Sequence, residues 1–320
     1  MKLQRNLPRI FLPLVFILPA LLALVGSYTQ WVTGYLYLFI IQGYVAWLLF
    51  FKTGQPFYGY SATMALGAYT CVVLQRFLNV PSIFQIVLGA LFSSLLAIVF
   101  FLCTSRAKGF YAGIASFLLA IIFPKLIEAL YPITGGRSGV QFYGLSLLLG
   151  PSNFFLIVVL TTTVIVALIF WLINSRTGKI FILISENEDL AQATGLNTFN
   201  FKLLAYAIAG FISGLGGALY INYTNSISSI DINVFTSVSI FFIPLLGGKG
   251  SFYGPVVGAL FYILVPELFS SIERYIDILY GLAYVLVIIF LPDGIIVGLG
   301  RVINKLLSKI VRPKNMENTN

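Results

Sequence analysis

Long apolar segments separated by short polar loops run through almost the whole chain. They do not alternate apolar and polar residues as a half-buried strand does, and a bilayer core about 30 Å thick needs about 20 apolar residues per helical span. The pattern therefore predicts an all-α polytopic membrane protein. We expect about ten transmembrane helices (8–10), near residues 10–27, 34–51, 59–75, 82–103, 110–131, 152–173, 201–223, 234–247, 254–271 and 278–297.

Three of these segments have a second interpretation. Lys2, Arg5 and Arg9 precede the first apolar run, which is also the shape of a signal peptide. The run is long for a signal sequence and lacks a clean small-residue cleavage site, so we expect a retained helix. The segments 59–75 and 234–247 are short and flanked by glycine. Either is a candidate for a broken or re-entrant element.

The basic residues predict the orientation. With the N-terminus in the cytoplasm, fifteen of the nineteen Lys and Arg residues fall inside. The four at the outer side are Arg76, Lys125, Arg137 and Arg274. Because cytoplasmic loops are enriched in Lys and Arg, both termini are predicted to be cytoplasmic. The chain then divides into a tail at 1–9, a transmembrane permease domain at 10–297 with an inside loop at 174–200, and a basic tail at 298–320.

Composition agrees with this prediction and argues against several functions. The chain is 59% hydrophobic and 9% charged, with a mean hydropathy of +0.98. Its net charge of +9 is better explained by cytoplasmic loops than by nucleic acid binding. There is no histidine, and Cys71 and Cys103 lie in apolar segments, so we expect no metal and no cofactor. Gly248 and Lys249 are followed by Gly250, which does not match a phosphate-binding loop, so we expect no enzyme activity of the chain itself.

The inside loop at 174–200 carries a charged cluster. Ser185 followed by Glu188 fits a helix N-cap and capping box. Glu186 and Asp189 would favour the positive end of the same helix, and Gly195 is a natural C-terminal stop. The sequence therefore predicts a short cytoplasmic helix of about ten residues.

Glycines and charges within the spans give weaker signals. Three glycine-rich segments at span ends, 54–56, 134–139 and 247–251, are either broken helix ends or ordinary turns. Lys125 and Glu128 either pair with each other or reach to the interface. A further set has the small-residue spacing that lets helices approach closely in lipid, and we assign it to helix packing: Gly210, Gly214, Gly216 and Gly217.

Several motifs together resemble the branched-chain amino acid permeases of ABC importers, in particular the LivM-type subunit. The resemblance runs from about Gly43 to Ile295. The motifs, in chain order, are GQPFYGYSATMALGAYT at 54–70, RAKGFY at 106–111, TGGRSG at 134–139, SRTG at 175–178 with ENE at 186–188, AGFISGLGGALY at 209–220, GGKGS at 247–251 with GP at 254–255, and PDG at 292–294.

The resemblance implies roles for particular residues. The inside loop would dock into a separate ABC ATPase, through Arg176, Gly178, Glu186, Asn187, Glu188, Ala191 and Gly195. The possible substrate pathway would include Gln55, Tyr58, Tyr60, Thr134, Gly135 and Gly136. The further implied partners are a second, related permease in a heterodimer and an extracytoplasmic substrate-binding protein. The implied location is the bacterial inner membrane.

The substrate is left open by departures from the family pattern. Phe57 and Tyr60 stand where the family has serine and histidine, and Ser116 stands where it has threonine. We expect an importer of branched-chain or other small amino acids, working by alternating access. A permease for urea, short amides or another small solute is the alternative within the family. An ion-coupled secondary transporter is the alternative of another class, and it is disfavoured because no span carries a run of charges at its centre.

Overall fold

A computed structural model describes residues 26–107 and 109–268, together with residues 281, 285, 289, 294–296 and 298. Its membrane-length helices are α1 (Ser27–Ala46, continued by a π-helical turn at Trp47–Lys52), α2 (Tyr60–Leu78), α3 (Ser82–Thr104), α4 (Phe110–Ala129), α7 (Pro151–Asn174) and α10 (Thr198–Thr224). The shorter elements are α5 (Tyr131–Thr134), β1 (Val140–Gln141), α6 (Leu145–Leu149), α8 (Arg176–Glu186), α9 (Glu188–Ala193), β2 (Ser226–Ile227), α11 (Val234–Gly247) and α12 (Gly254–Leu268).

Eight helices correspond to eight of the predicted spans. Five of them, α1 with its π-helical turn, α3, α4, α7 and α10, are long and apolar enough to cross a membrane. Helix α11 coincides with the predicted segment 234–247, and α1 begins seven residues earlier than the predicted 34–51. The predicted spans at 10–27 and 278–297 lie largely outside the described residues. The structure is thus that of a multi-pass helical membrane protein.

Contacts between connecting segments define two ends of the bundle. At one, the loop-helix end, α8 and α9 lie beside the segment 53–59, and the indole Nε1 of Trp47 donates to the carbonyl of Lys249 at 3.1 Å. At the other, the β-ribbon end, β1 pairs antiparallel with β2, and Arg76 donates to the carbonyl of Pro132 at 3.1 Å. Successive membrane-length helices run alternately between these ends.

The last described residues return to the loop-helix end. A Cβ atom built on Gly294 would lie 2.3 Å from the Cα of Gly248, in the turn between α11 and α12.

Glycines allow the central helices to touch through their backbones. A Cβ on Gly217 of α10 would lie 1.9 Å from the carbonyl oxygen of Met64 on α2. A Cβ on Gly67 of α2 would lie 2.1 Å from the carbonyl oxygen of Gly214. Helix α3 joins the same packing, because a Cβ on Gly210 would lie 2.6 Å from the Cβ of Ala97. Small residues at such contacts maximise van der Waals packing where lipid supplies no hydrophobic driving force.

Candidate functional site

The loop helices α8 and α9 begin at a sharp turn after α7. The Ser175 side chain caps α8 by accepting from the amide of Gly178 at 3.3 Å. A Cβ on Gly178 would lie 2.4 Å from both the Cα and the carbonyl oxygen of Ile173, so glycine is required for this close approach. Helix α8 then packs Phe181 and Ile184 inward and leaves Arg176 exposed.

The prediction of one helix capped by Ser185 was wrong. The loop holds two helices, of 11 and 6 residues, and Ser185 lies inside the first of them, where its hydroxyl donates to the carbonyl of Ile182. The second helix is capped by Asn187, whose Oδ1 accepts from the amide of Leu190 at 2.9 Å. Asn is as good an N-cap as Ser, and the apolar residues before Ser185 extend the first helix through it. Gly195, with φ +84°, ends the unit as expected.

A polar cluster ties α9 to the start of α10. The ammonium group of Lys202 contacts Oε1 of Glu188, and the Thr198 hydroxyl lies 3.4 Å from the same oxygen. The side-chain amide of Gln192 donates to the Thr198 hydroxyl at 3.0 Å. Since Lys202 belongs to a membrane-length helix, this cluster links α9 directly to the bundle.

The outer surface of the loop helices mixes charge with one apolar side chain. Glu186 and Asp189 are exposed, and between them in sequence Asn187 is exposed as well. Leu190 is 54% exposed, whereas Ala191 on the other side of the same helix is fully buried. The outer face of the loop helices is therefore mostly polar, with Leu190 as its exposed apolar side chain.

A cavity of about 310 Å³ opens beneath α9 at the loop-helix end. Gln55 lines it together with Glu188 and Lys202. Its further walls come from α3, α4 and α10, including Phe101 and Tyr206.

The six residues predicted for a substrate pathway do not form one site. Gln55, Tyr58 and Tyr60 lie in or just after the irregular segment between α1 and α2, on the side of the loop helices. Thr134, Gly135 and Gly136 lie at the β-ribbon end. There the Thr134 hydroxyl donates to the carbonyl of Ile127 and accepts from the amide of Gly136. Tyr60 is fully buried, and its hydroxyl has no hydrogen-bond partner among the described residues.

Aromatic rings fill the space beside Tyr58. The ring centroid of Tyr58 lies 5.0 Å from that of Phe241 on α11 and 6.0 Å from that of Phe50 in the π-helical turn. The rings of Phe50 and Phe241 are 4.8 Å apart. All three side chains are partly exposed. We call Phe50, Phe51, Tyr58 and Phe241 the aromatic cluster.

On the β-ribbon side of the aromatic cluster, buried hydroxyls and one side-chain amide link four helices. Gln42 of α1 exchanges two hydrogen bonds with Ser213 of α10, its Nε2 donating to the carbonyl at 3.0 Å and its Oε1 accepting from the hydroxyl at 2.9 Å. The Ser213 hydroxyl is also 2.8 Å from the Thr63 hydroxyl on α2, and Ser93 of α3 donates to the Thr63 carbonyl. Sequence reasoning missed these residues, because single hydroxyls are common in apolar helices.

The four glycines assigned to helix packing all lie on α10. Gly210 faces α3, Gly214 faces Ser93 of α3, and Gly217 faces α2. Gly216 faces α1, where a Cβ would lie 2.7 Å from Nε2 of Gln42.

The charged pair Lys125 and Glu128 is formed, with 2.9 Å between the ammonium nitrogen and the carboxylate oxygen.

The geometry defines a class, namely a multi-pass helical membrane protein with a helical loop unit projecting from one end. The family described as "Branched-chain amino acid transport system / permease component" matches residues 31–291. The match covers most of the chain, so the chain belongs to this family of ABC-type permease components.

Individual relatives carry two kinds of name. The probable branched-chain amino acid transport permease protein LivM of Methanocaldococcus jannaschii is 29% identical over 238 residues, covering 67% of this chain and 68% of that protein. The LivM permease of Salmonella typhimurium is 23% identical, covering 74% of this chain and 63% of that protein. The ribose import permease RbsC of Haemophilus influenzae is 29% identical over a shorter match, 28% of this chain and 30% of that protein. No solved structure matches the chain.

Proposed function

We propose that this chain is a transmembrane subunit of an ATP-driven importer for branched-chain or other small amino acids, moving its substrate by alternating access. The observation that carries the proposal is the loop-helix unit, which projects from the bundle yet is tied to α10 through Glu188 and Lys202. A permease that has no nucleotide site of its own needs such a mechanical connection to its energy source. The two LivM relatives, which match 67% and 74% of this chain, are named as amino acid permeases, which supports the substrate class.

On this proposal the loop-helix unit docks into an ABC ATPase. Leu190 would be the apolar anchor, and Glu186 and Asp189 would form a charged rim around it. Nucleotide-driven movement of the ATPase would push α9, and the cluster at Glu188 would pass the movement to α10. The loop-helix end therefore lies in the cytoplasm, which agrees with the excess of Lys and Arg in its connecting segments.

The same orientation places both termini in the cytoplasm and gives about ten spans in a bacterial inner membrane. The β-ribbon end then faces the opposite side, where an extracytoplasmic binding protein would deliver the substrate. A second, related permease would complete the pathway as a heterodimer. These partners are proposals that follow from membership in the family.

A sugar is the second candidate substrate. Permeases named for ribose and fructose import match 28% to 40% of this chain. The two candidates are separated by the uptake of radiolabelled leucine and ribose in the same vesicles.

The coupling role is tested by Glu186→Lys in the assembled transporter. Glu186 is exposed, so the substitution leaves the bundle intact. We expect ATP hydrolysis to continue while uptake falls at least about tenfold, because the reversed charge, worth about 1 kcal/mol or more at an interface, disturbs docking. Gln141→Lys, an exposed position at the β-ribbon end, is the matched control. Normal uptake per ATP in Glu186→Lys would contradict the docking assignment.

A further inference from the structure

Two helices that run in opposite directions begin beside each other inside the bundle. Ser61, the second residue of α2, donates its amide to the hydroxyl of Ser237 at 3.1 Å. Ser237, the fourth residue of α11, in turn donates to the carbonyl of Tyr58, just before α2 begins. The N-terminal turns of α2 and α11 therefore meet directly.

The meeting point lies deep in the bundle. Thr63, two residues further along α2 than Ser61, contacts Ser213 at 2.8 Å, and Ser213 lies near the middle of α10. An irregular segment precedes each helix. Segment 53–59 enters from the loop-helix end, and segment 228–233 begins at the β-ribbon end, where the amide of Ser229 donates to the carbonyl of Gly136. Irregular backbone at membrane depth is tolerated where protein buries it or where it lines a polar cavity. Broken helices of this kind form substrate sites in other transporters.

The electrostatics of this arrangement call for an anion. A helix N-terminus carries a partial positive charge, and here two of them come together in a low-dielectric setting. Neither helix has an acidic residue in its first turn. The N-cap residue of α2 is Gly59, which has no side chain, whereas α11 is capped by the neutral side chain of Asn233, which accepts from the amide of Thr236. The carboxylate of Asp231, which precedes the α11 N-cap, accepts instead from the amide and hydroxyl of Ser228.

A second observation points to a ligand at the same place. The hydroxyl of Ser61 is fully buried and has no hydrogen-bond partner within the described part of the chain. Leaving a buried hydroxyl unpaired is costly, and its neighbours Thr63, Ser116 and Ser237 are all paired. The Ser61 hydroxyl thus lies where two helix N-termini meet, and its proton has no acceptor among the described residues.

The aromatic cluster closes this place from the loop-helix end. Tyr58 accepts from Ser237 through its carbonyl and packs its ring on Phe241, one helical turn along α11 from Ser237. Because the rings of Phe50 and Phe241 touch, a solute held at Ser61 is separated from that end by aromatic side chains.

We propose that Ser61 and the N-terminal turns of α2 and α11 bind the carboxylate of the transported solute midway through the membrane. The Ser61 hydroxyl donates to the carboxylate, the partial positive charge of the two helix N-termini stabilises it, and the aromatic cluster covers the apolar side chain of the solute. The assignment of the carboxylate to an amino acid rests on the proposed function. A neutral sugar has no group that this site would favour.

The anion preference is tested by cysteine chemistry in the assembled transporter. Ser61→Cys is made with Cys71→Ala and Cys103→Ala, so that one thiol remains. The introduced thiol is labelled during ATP turnover with two methanethiosulfonate reagents. One carries an anionic sulfonatoethyl group and the other a cationic trimethylammonium-ethyl group. Each labelling rate is divided by the rate at which the same reagent reacts with free cysteine. We expect the anionic reagent to react about tenfold faster, because two helix N-termini favour negative charge. Thr162→Cys, a buried hydroxyl position on α7 bonded to its own helix, is expected to react with neither.

The labelling of Ser61→Cys is repeated with leucine and the binding protein present, and we expect leucine to slow it. A second variant keeps the test decisive if the introduced thiol reacts slowly. Ser61→Ala is expected to lower leucine uptake about tenfold at unchanged ATP hydrolysis, because a hydrogen bond to a charged group is lost.

The outcomes separate this proposal from the proposed function. Equal labelling by the two reagents, faster labelling by the cation, or normal uptake in Ser61→Ala would overturn the anion site. If the anionic reagent is preferred but leucine gives no protection, the anion site stands and the amino acid assignment of the proposed function falls.

Discussion

Lys202 of α10 and Glu188 of α9 form an ion pair that joins a membrane-length helix to the loop-helix unit. The side chain of Lys202 is 15% exposed and that of Glu188 is 36% exposed, so water screens the pair only in part. The two positions are 14 residues apart in sequence, and Thr198 and Gln192 reinforce the contact. It therefore joins α9 to the bundle in addition to the direct chain connection between α7 and α8.

Removing this ion pair should loosen α9 without unfolding the bundle. Lys202→Gln is expected to speed hydrogen exchange of the α9 amides about fivefold, because a partly exposed pair contributes about 1 kcal/mol. The exchange is followed by mass spectrometry of the α9 peptide. The double variant Lys202→Glu with Glu188→Lys restores the pair with reversed charges and should restore slow exchange. Equal exchange in all three proteins would show that the pair does not hold α9.

Gly217 should tolerate no side chain. In Gly217→Ala the new Cβ would lie 1.9 Å from the carbonyl oxygen of Met64, a backbone atom that cannot turn aside. Overpacking of this kind costs about 1–3 kcal/mol, so we expect thermal unfolding in detergent at a temperature several degrees lower. Gly250→Ala is the matched control, because nothing lies within 4 Å of its Cβ position. Equal unfolding temperatures for the two variants would contradict the helix contact.

Phe241 should act as part of a barrier. Its ring contacts both Phe50 and Tyr58, and Phe241→Ala removes the ring that closes the aromatic cluster. We expect preloaded vesicles that carry the assembled transporter to lose substrate faster without ATP, because the path to the loop-helix end is opened. Phe235→Ala removes the same ring from a position on the same helix that is 71% exposed, and should not leak. If Phe241→Ala vesicles lose substrate no faster than wild-type vesicles, the aromatic cluster does not close the pathway.

Much of the fold was predictable because the apolar segments are long and clearly bounded by polar residues. Continuous apolar runs located eight helices, and the short segment 234–247 matched α11 at both ends. Within the loop, the same logic failed at Ser185. Both Ser185 and Asn187 are good helix caps, and the sequence pattern does not show that the apolar residues before Ser185 form α8 and pack against the bundle. Ser185 and Asn187 are equally good N-cap residues, and tertiary packing of α8 determines that Asn187 is the cap.

The candidate site was less predictable, because a sequence motif does not show how deep in the membrane its residues lie. Gln55 and Thr134 belong to motifs of similar appearance, yet they lie near opposite ends of the bundle. Ser61 and Ser237 are 176 residues apart in sequence, and nothing in either segment indicates that their helices begin side by side. What makes Ser61 notable is the combination of burial and an unpaired hydroxyl, and only coordinates supply both.

In the proposed function, this chain carries a small amino acid through the membrane only when an ABC ATPase drives it. The most direct measurement is uptake of radiolabelled leucine into vesicles that contain this chain with its ATPase, its partner permease and its binding protein. We predict uptake that requires ATP and every component, and none by this chain alone. Leucine uptake by the isolated chain, or uptake by the full assembly that continues without ATP, would contradict the proposed function.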